Sequence, residues 1–93
     1  MEEPELDQAL EDRILQLLAE RDPGKTICPS DVARSLHADL SEADPDGWRE
    51  LMQPTRSAAA RLVAAGEVVV TQAGAEIDVA QARGPVRIRL ARP

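Results

Sequence analysis

Aromatic residues are almost absent from this chain of 93 residues, which contains one tryptophan, Trp48, and neither tyrosine nor phenylalanine. Its core must therefore consist of leucine, valine, isoleucine and alanine, and hydrophobic residues make up 43% of the sequence, enough for a folded domain. Trp48 and Leu51 share one face of a predicted helix, so we expect Trp48 in the core rather than on a surface that stacks nucleobases. A single domain of this length has no room for a large enclosed active site beside its core.

Cysteine and long apolar runs are equally scarce. Cys28 is the only cysteine, which excludes an internal disulfide and favours a reducing compartment. No stretch approaches the roughly 18 apolar residues of a membrane span, and the acidic start lacks the features of a secretory signal. The sequence therefore predicts a soluble, cytoplasmic protein without a membrane partner.

Positive charge is scarce in the first half of the chain. Residues 1–47 hold thirteen acidic residues against four basic ones, a formal charge of −9. Residues 48–93 hold seven arginines against four acidic residues, a formal charge of +3, so the whole chain carries −6. This asymmetry indicates either a polyanionic partner for the second half or an ordinary charge-mixed surface.

The first predicted helix covers residues 6–21 and follows a flexible acidic tail over residues 1–5, and one domain extends from residue 6 to residue 91. Apolar residues recur in this helix at the spacing of a helix packed on a core. They are Leu10, Ile14, Leu17 and Leu18. Pro23 and Gly24 end the helix.

The second predicted helix begins at Pro29, whose missing N–H costs nothing at the first helical position. Cys28 is then the N-cap residue, and Asp31 lies in the first turn, where the helix dipole favours an acid. Ile27 and Val32 are spaced to form the hydrophobic staple that fixes the direction of entry into a helix.

The third predicted helix begins near Pro54 and ends at Gly66, after a short helical turn over residues 47–52. Its predicted core face contains Trp48, Leu51, Thr55, Ala58, Ala59 and Leu62. The opposite, exposed face contains Gln53, Ser57, Ala60 and Ala64, flanked by Arg56 and Arg61.

Two strands complete the predicted fold. Residues 67–72 are rich in β-branched residues, and residues 85–91 alternate between arginine and apolar positions. The long connection between them has Gly74 at a predicted turn and Asp78 where it can cap another. This order of elements is typical of an α+β, winged helix-turn-helix-like domain with three main helices and a C-terminal β-hairpin wing.

Four segments of the chain carry a family resemblance. They are "GKTICPSDVARSL", "WRELM", "RSAAARLVAAGEVVVTQAG" and "RGPVRIRLA". Together they resemble a small bacterial family known as domain of unknown function 3253, over about residues 6–91. The resemblance implies a winged-helix-like fold and supplies no activity.

No arrangement of nucleophile and base predicts catalysis. Cys28 and His37 lie nine residues apart on one helix, roughly 13 Å at 1.5 Å per residue, beyond hydrogen-bonding distance. Ser30 and His37 share a helix face, but about 10 Å separates them. The sequence therefore predicts neither an enzyme nor a small-molecule substrate.

Metal ligands are also too few for a site. One cysteine and one histidine cannot supply a zinc site. Part of an acidic loop matches the first half of an EF-hand loop, at Glu42, Asp44, Asp46 and Gly47. Gln53 stands where that loop needs a bidentate acid, so we expect a solvated acidic turn and no cofactor.

The second half of the chain supplies the candidate binding residues. Its arginines are Arg49, Arg56, Arg61, Arg83, Arg87, Arg89 and Arg92. In a winged helix, the third helix and the wing lie against DNA. The candidate nucleic-acid-binding residues are Gln53, Arg56, Ser57, Arg61, Arg83, Arg87 and Arg89. They predict weak binding of double-stranded DNA with little sequence preference, because Gln53 alone at the centre of the helix face can read base edges.

Two other interpretations stay open. Alternating arginines such as Arg87 and Arg89 can simply keep a short sheet soluble while their stems cover apolar surface. The alanine-rich exposed face of the third helix can instead contact a protein partner, or a second copy of the chain, in an interaction or structural module.

Overall fold

The computed structural model describes residues 4–22, 24–40 and 46–91. Three α-helices precede a small sheet, and a 3₁₀ helix, Gly47–Leu51, leads into the third α-helix. The elements are α1 Pro4–Ala19, α2 Pro29–Leu40, α3 Met52–Ala64, β1 Val68–Gln72, β2 Ala75–Glu76 and β3 Arg87–Leu90. The predicted α+β class is confirmed, and the C-terminal strands fit a hairpin wing.

Helix α1 buries the predicted apolar stripe. Leu10, Ile14 and Leu18 are at most 2% exposed, and Leu17 is half-buried at the edge of the core. The helix begins at Pro4, so Glu5 belongs to its first turn and not to a tail. The rest of the predicted flexible tail, residues 1–3, lies outside the described residues.

Helix α2 begins at Pro29, as its sequence predicts. The backbone N–H of Cys28 donates a hydrogen bond of 2.8 Å to Oδ2 of Asp31, which fixes the first turn from the N-cap position. Ile27 and Val32, the predicted staple, are both buried in the core.

The 3₁₀ helix Gly47–Leu51 packs on α2 and α3 and buries none of its residues. The prediction that Trp48 lies in the core is therefore wrong: this side chain is half-buried, with the guanidinium carbons of Arg34 and Arg49 at 4.3 and 4.7 Å from its ring centroid. The reason is geometric, because a 3₁₀ helix turns once in three residues and rotates Trp48 away from its α-helical direction.

Helix α3 buries four of the predicted core residues, which are Thr55, Ala58, Ala59 and Leu62. The Thr55 hydroxyl donates a hydrogen bond of 2.6 Å to the carbonyl oxygen of Leu51, so its polar group is satisfied inside the core. The N–H of Glu67 donates to the carbonyl oxygen of Leu62 at 2.9 Å beyond the helix end, across Gly66 with its positive φ of 78°.

The sheet has the strand order β2-β1-β3, with both pairings antiparallel. Val68 lies opposite Leu90, and Val70 lies opposite Ile88. Ile27, just before α2, exchanges two backbone hydrogen bonds of 2.8 and 2.9 Å with Ile88. This bridge attaches the start of α2 to the sheet.

The connection between β2 and β3 packs back on the body of the molecule. Asp78 caps its turn, because its Oδ1 accepts a hydrogen bond of 3.0 Å from the N–H of Ala80. Val79 is only 5% exposed and belongs to the core. No helix among the described residues is both long enough and apolar enough to cross a membrane.

Candidate nucleic-acid interface

The predicted arginines do not converge on one surface, because Arg61 faces α1. Its Nε donates to Oε2 of Glu11 at 2.5 Å, and its Nη2 lies 3.9 Å from Oδ1 of Asp7. These carboxylates neutralise the guanidinium on the acidic side of the molecule. The Arg61 side chain is therefore directed toward α1, whereas the Arg56 guanidinium donates to carbonyl oxygens of the connection before β3.

Arg89 is also beside a carboxylate. Its Nη2 lies 3.9 Å from Oε2 of Glu76 on β2, and its Nη1 donates to the carbonyl oxygen of Leu90 at 3.3 Å. Arg83 is exposed, and its carbonyl oxygen accepts a hydrogen bond of 2.5 Å from Nε2 of Gln72. Arg92 lies outside the described residues.

Arg56 and Arg87, in contrast, donate only to neutral groups in the part of the chain that the structure describes. Arg56 donates to the carbonyl oxygens of Ala82 at 3.0 Å and Gly84 at 3.3 Å. Arg87 donates to the Thr26 hydroxyl at 2.8 Å and to the Cys28 sulfur. Each guanidinium is held in place with its full charge, and its five N–H donors leave some free.

Two further arginines, both outside the predicted site residues, complete this group. Arg34 from α2 and Arg49 from the 3₁₀ helix both pack on the Trp48 ring, and both are exposed. No ion pair joins either to a carboxylate among the described residues. One signal in the sequence could have identified Arg34: it follows Ser30 by one helical turn, on the same face of the predicted second helix.

We call these four arginines the arginine band: Arg34 and Arg49 share the Trp48 ring, and Arg56 and Arg87 both donate hydrogen bonds to residues that line one groove. An open groove of about 290 Å³ lies where the starts of α2 and α3 meet residues 84–86. Arg56 lines this groove, and Arg87 donates to the Cys28 sulfur in its wall. Its lining is mainly apolar, and we call it the apolar groove. It is lined by Cys28, Pro29, Ser30, Met52, Arg56, Gly84, Pro85 and Val86. Arg34 lies one helical turn after Ser30 on α2, and Arg49 lies three residues before Met52, in the 3₁₀ helix that leads into α3.

The exposed face of α3 is only partly free. Gln53, Ser57 and Ala60 line a second, smaller groove of about 180 Å³, and its other wall is the connection at Val79, Ala80 and Ala82. Ala60 is half-buried as a result. Gln53, the residue predicted to read base edges, and its neighbour Ser57 thus lie beside a packed loop.

The described residues contain no cluster of metal-ligating side chains. Among them, no three histidine, cysteine or acidic side chains are close enough together to hold a metal ion. Glu42 and Asp44 of the EF-hand-like loop lie outside the described residues. The Cys28 sulfur accepts a hydrogen bond from Arg87 at the start of α2, while His37 lies near the other end of that helix.

Comparison with known proteins identifies the family but not an activity. None of the curated proteins compared with this chain matches it. A family model described as protein of unknown function (DUF3253) matches residues 7–91, almost the whole chain. The four segments that suggested the resemblance all fall within or overlap this match. The chain therefore belongs to the DUF3253 family.

Proposed function

We propose that this domain is a winged-helix-like module of the cytoplasm that binds nucleic acid weakly, through the phosphate backbone and with little sequence preference. The observation that carries the proposal is the sorting of the arginines by partner. Arg13, Arg61 and Arg89 lie beside carboxylates, whereas the arginine band has only neutral or aromatic partners among the described residues.

The positions of the band also support phosphate contact. Two of its members, Arg56 and Arg87, lie in α3 and at the first position of β3, and winged helices approach DNA with their third helix and wing. Arginine forms paired hydrogen bonds with phosphate oxygens, so a row of guanidinium groups fits a phosphate backbone. Arg56 and Arg87 are fixed by their own hydrogen bonds and lose little entropy on binding.

The same geometry argues against sequence-specific recognition. A helix that reads the major groove must present several polar side chains on an open face. The α3 face has a loop packed along it, with Ala60 half-buried beside Val79. Binding would then depend on phosphates and not on base edges.

A net charge of −6 lowers the affinity without preventing contact. At physiological salt, charges more than about 8 Å apart are largely screened, so nearby arginines dominate over distant acids. Arg61, Asp7 and Glu11 compensate one another on the α1 side, which reduces repulsion there.

Salt dependence of duplex binding tests this proposal. We expect log affinity for a short random-sequence duplex to fall against log salt with a slope of about −3.6, from four phosphate contacts at about −0.9 each. Fluorescence anisotropy at low and moderate salt measures the slope. The variant with Arg34, Arg49, Arg56 and Arg87 all changed to glutamine, checked for folding by circular dichroism, should not bind. If the folded wild type does not bind at low salt, the proposal is wrong.

A protein partner is the second candidate, and the exposed part of Trp48 favours it. Tryptophan and arginine are enriched among residues that dominate protein interfaces, and Trp48 lies between two arginines. The alanine-rich face of α3 contributes less to this candidate than its sequence suggests, because the connection covers part of it. An acidic protein that competes with DNA for the band would support this candidate.

A further inference from the structure

We infer that the nucleic acid bound by this domain is single-stranded at its point of contact, with one unpaired base in the apolar groove and the adjoining phosphates on Arg56 and Arg87. This inference rests on the proposed function and specifies its ligand. The observation behind it is the position of the apolar groove beside two guanidinium groups: Arg56 lines it, and Arg87 donates to Cys28, another of its lining residues. Both arginines have only neutral partners among the described residues.

The size of the groove suits a single base. Its volume of about 290 Å³ exceeds that of the engineered cavity of about 150 Å³ that accommodates benzene, so one ring system fits with room for the linking sugar. Met52, which is half-buried, and Pro85, which is exposed, supply apolar surface for the base faces. No aromatic platform is required, because flipped or splayed bases also pack between apolar side chains.

The chemistry of the groove distinguishes a single strand from a duplex. A duplex keeps its bases stacked inside and presents charged phosphates to the protein, which would leave apolar surface facing phosphates. Unstacked bases of a single strand can turn outward and remove that surface from water. A charged backbone on the rim and an apolar base inside therefore match both parts of the site.

Three probes of similar length separate the contributions of phosphates, unpaired bases and paired bases to binding. Oligothymidine of about 12 nucleotides offers phosphates and bases, an abasic oligomer of equal length offers phosphates alone, and a duplex offers paired bases. For the full chain we expect oligothymidine to bind about fivefold more tightly than the abasic oligomer, about 1 kcal/mol. It should also bind more tightly than the duplex, and the two single-stranded probes should have the same salt slope, about −0.7 per phosphate contact.

A variant that fills the apolar groove tests whether the base binds there. Ser30→Leu adds an apolar side chain at the rim of the groove, and we expect it to bind oligothymidine no better than the abasic oligomer. Ala64→Leu, at an exposed position near the end of α3, is the matched control and should behave as wild type.

The outcomes separate this inference from the proposed function. Equal affinity for oligothymidine and the abasic oligomer would overturn the inference, as would tighter binding of the duplex or normal oligothymidine binding by Ser30→Leu. In each case the proposed phosphate contacts would stand. Absence of binding to all three probes at low salt would overturn both.

Discussion

At the scale of single residues, the partner of each arginine determines how much of its charge a ligand can use. Arg61 lies between Asp7 and Glu11, so its field is cancelled close to the protein. Arg56 donates to two carbonyl oxygens, which orient the guanidinium without neutralising it. Arg56 and Arg61 are five positions apart on one helix, yet only Arg61 has carboxylate partners among the described residues.

Trp48 is predicted to contribute less to stability than a buried aromatic residue. Trp48→Leu keeps an apolar side chain and removes the ring on which Arg34 and Arg49 pack. Cation–π contacts at exposed sites contribute about 0.5–1 kcal/mol each, so for two contacts we expect a loss of about 1–2 kcal/mol in the free energy of unfolding. Urea denaturation followed by circular dichroism measures it. A loss of about 3 kcal/mol or more would indicate a core tryptophan.

Ala73 is strained in the hairpin turn between β1 and β2. Its φ is +54°, beside Gly74 at +86°, and two-residue hairpin turns with positive φ at both positions prefer Asn-Gly. We expect Ala73→Asn to raise the free energy of unfolding by about 1 kcal/mol. Gly74→Ala should lower it, which gives a control of opposite sign in the same turn. Lower stability for Ala73→Asn would contradict the assigned turn.

At the scale of elements, the start of α2 depends on one side-chain cap. Asp31 accepts the backbone N–H of Cys28, so Asp31→Ala should lower the free energy of unfolding by about 1 kcal/mol. Asp22→Ala removes the same charge from an exposed loop position and should have little effect. Thermal or urea denaturation of both variants measures the difference. Equal stability of the two variants would mean that the cap contributes nothing.

The sequence predicts the helices and the main strands well because their signals are local. Pro29 marks the start of α2, and the β-branched run at 68–70 lies in β1. The two-residue strand β2 carries too little pattern to be recognised, and it exists because the turn at Ala73 brings its residues beside β1.

The candidate site was less predictable, because it depends on which elements meet. The sequence alone shows arginines at positions 56, 61, 87 and 89, but not that acids from α1 and β2 lie beside two of them. The packing of Val79 against the α3 side is likewise a tertiary contact that joins residues far apart in the chain. Trp48 was misplaced for a local reason, the change from α-helical to 3₁₀ geometry.

At the scale of the whole molecule, the core holds the elements together, and the charged side chains differ in their partners from one surface to another. The core is entirely aliphatic apart from the buried Thr55, and its centre joins α1, α3 and the sheet through residues such as Ile14 and Ile88. Charged side chains are sorted instead by partner: acids lie beside arginines on the α1 side, while among the described residues the arginine band has only neutral or aromatic partners.

A comparison of two double variants tests most directly whether the partner of each arginine determines its contribution to DNA binding. Arg56→Gln with Arg87→Gln, and Arg61→Gln with Arg89→Gln, each change the formal charge from −6 to −8. The first pair removes half of the arginine band, and the second removes arginines that lie beside carboxylates. Circular dichroism establishes that both variants are folded before binding is measured.

The measurement is the slope of log affinity for duplex DNA against log salt, by fluorescence anisotropy. For the Arg56→Gln, Arg87→Gln variant we predict a slope of about −1.8, half the wild-type value, because two phosphate contacts are lost. For the Arg61→Gln, Arg89→Gln variant we predict the wild-type slope of about −3.6. Equal slopes for the two variants would contradict the account, because the partners of the arginines would then have no bearing on binding.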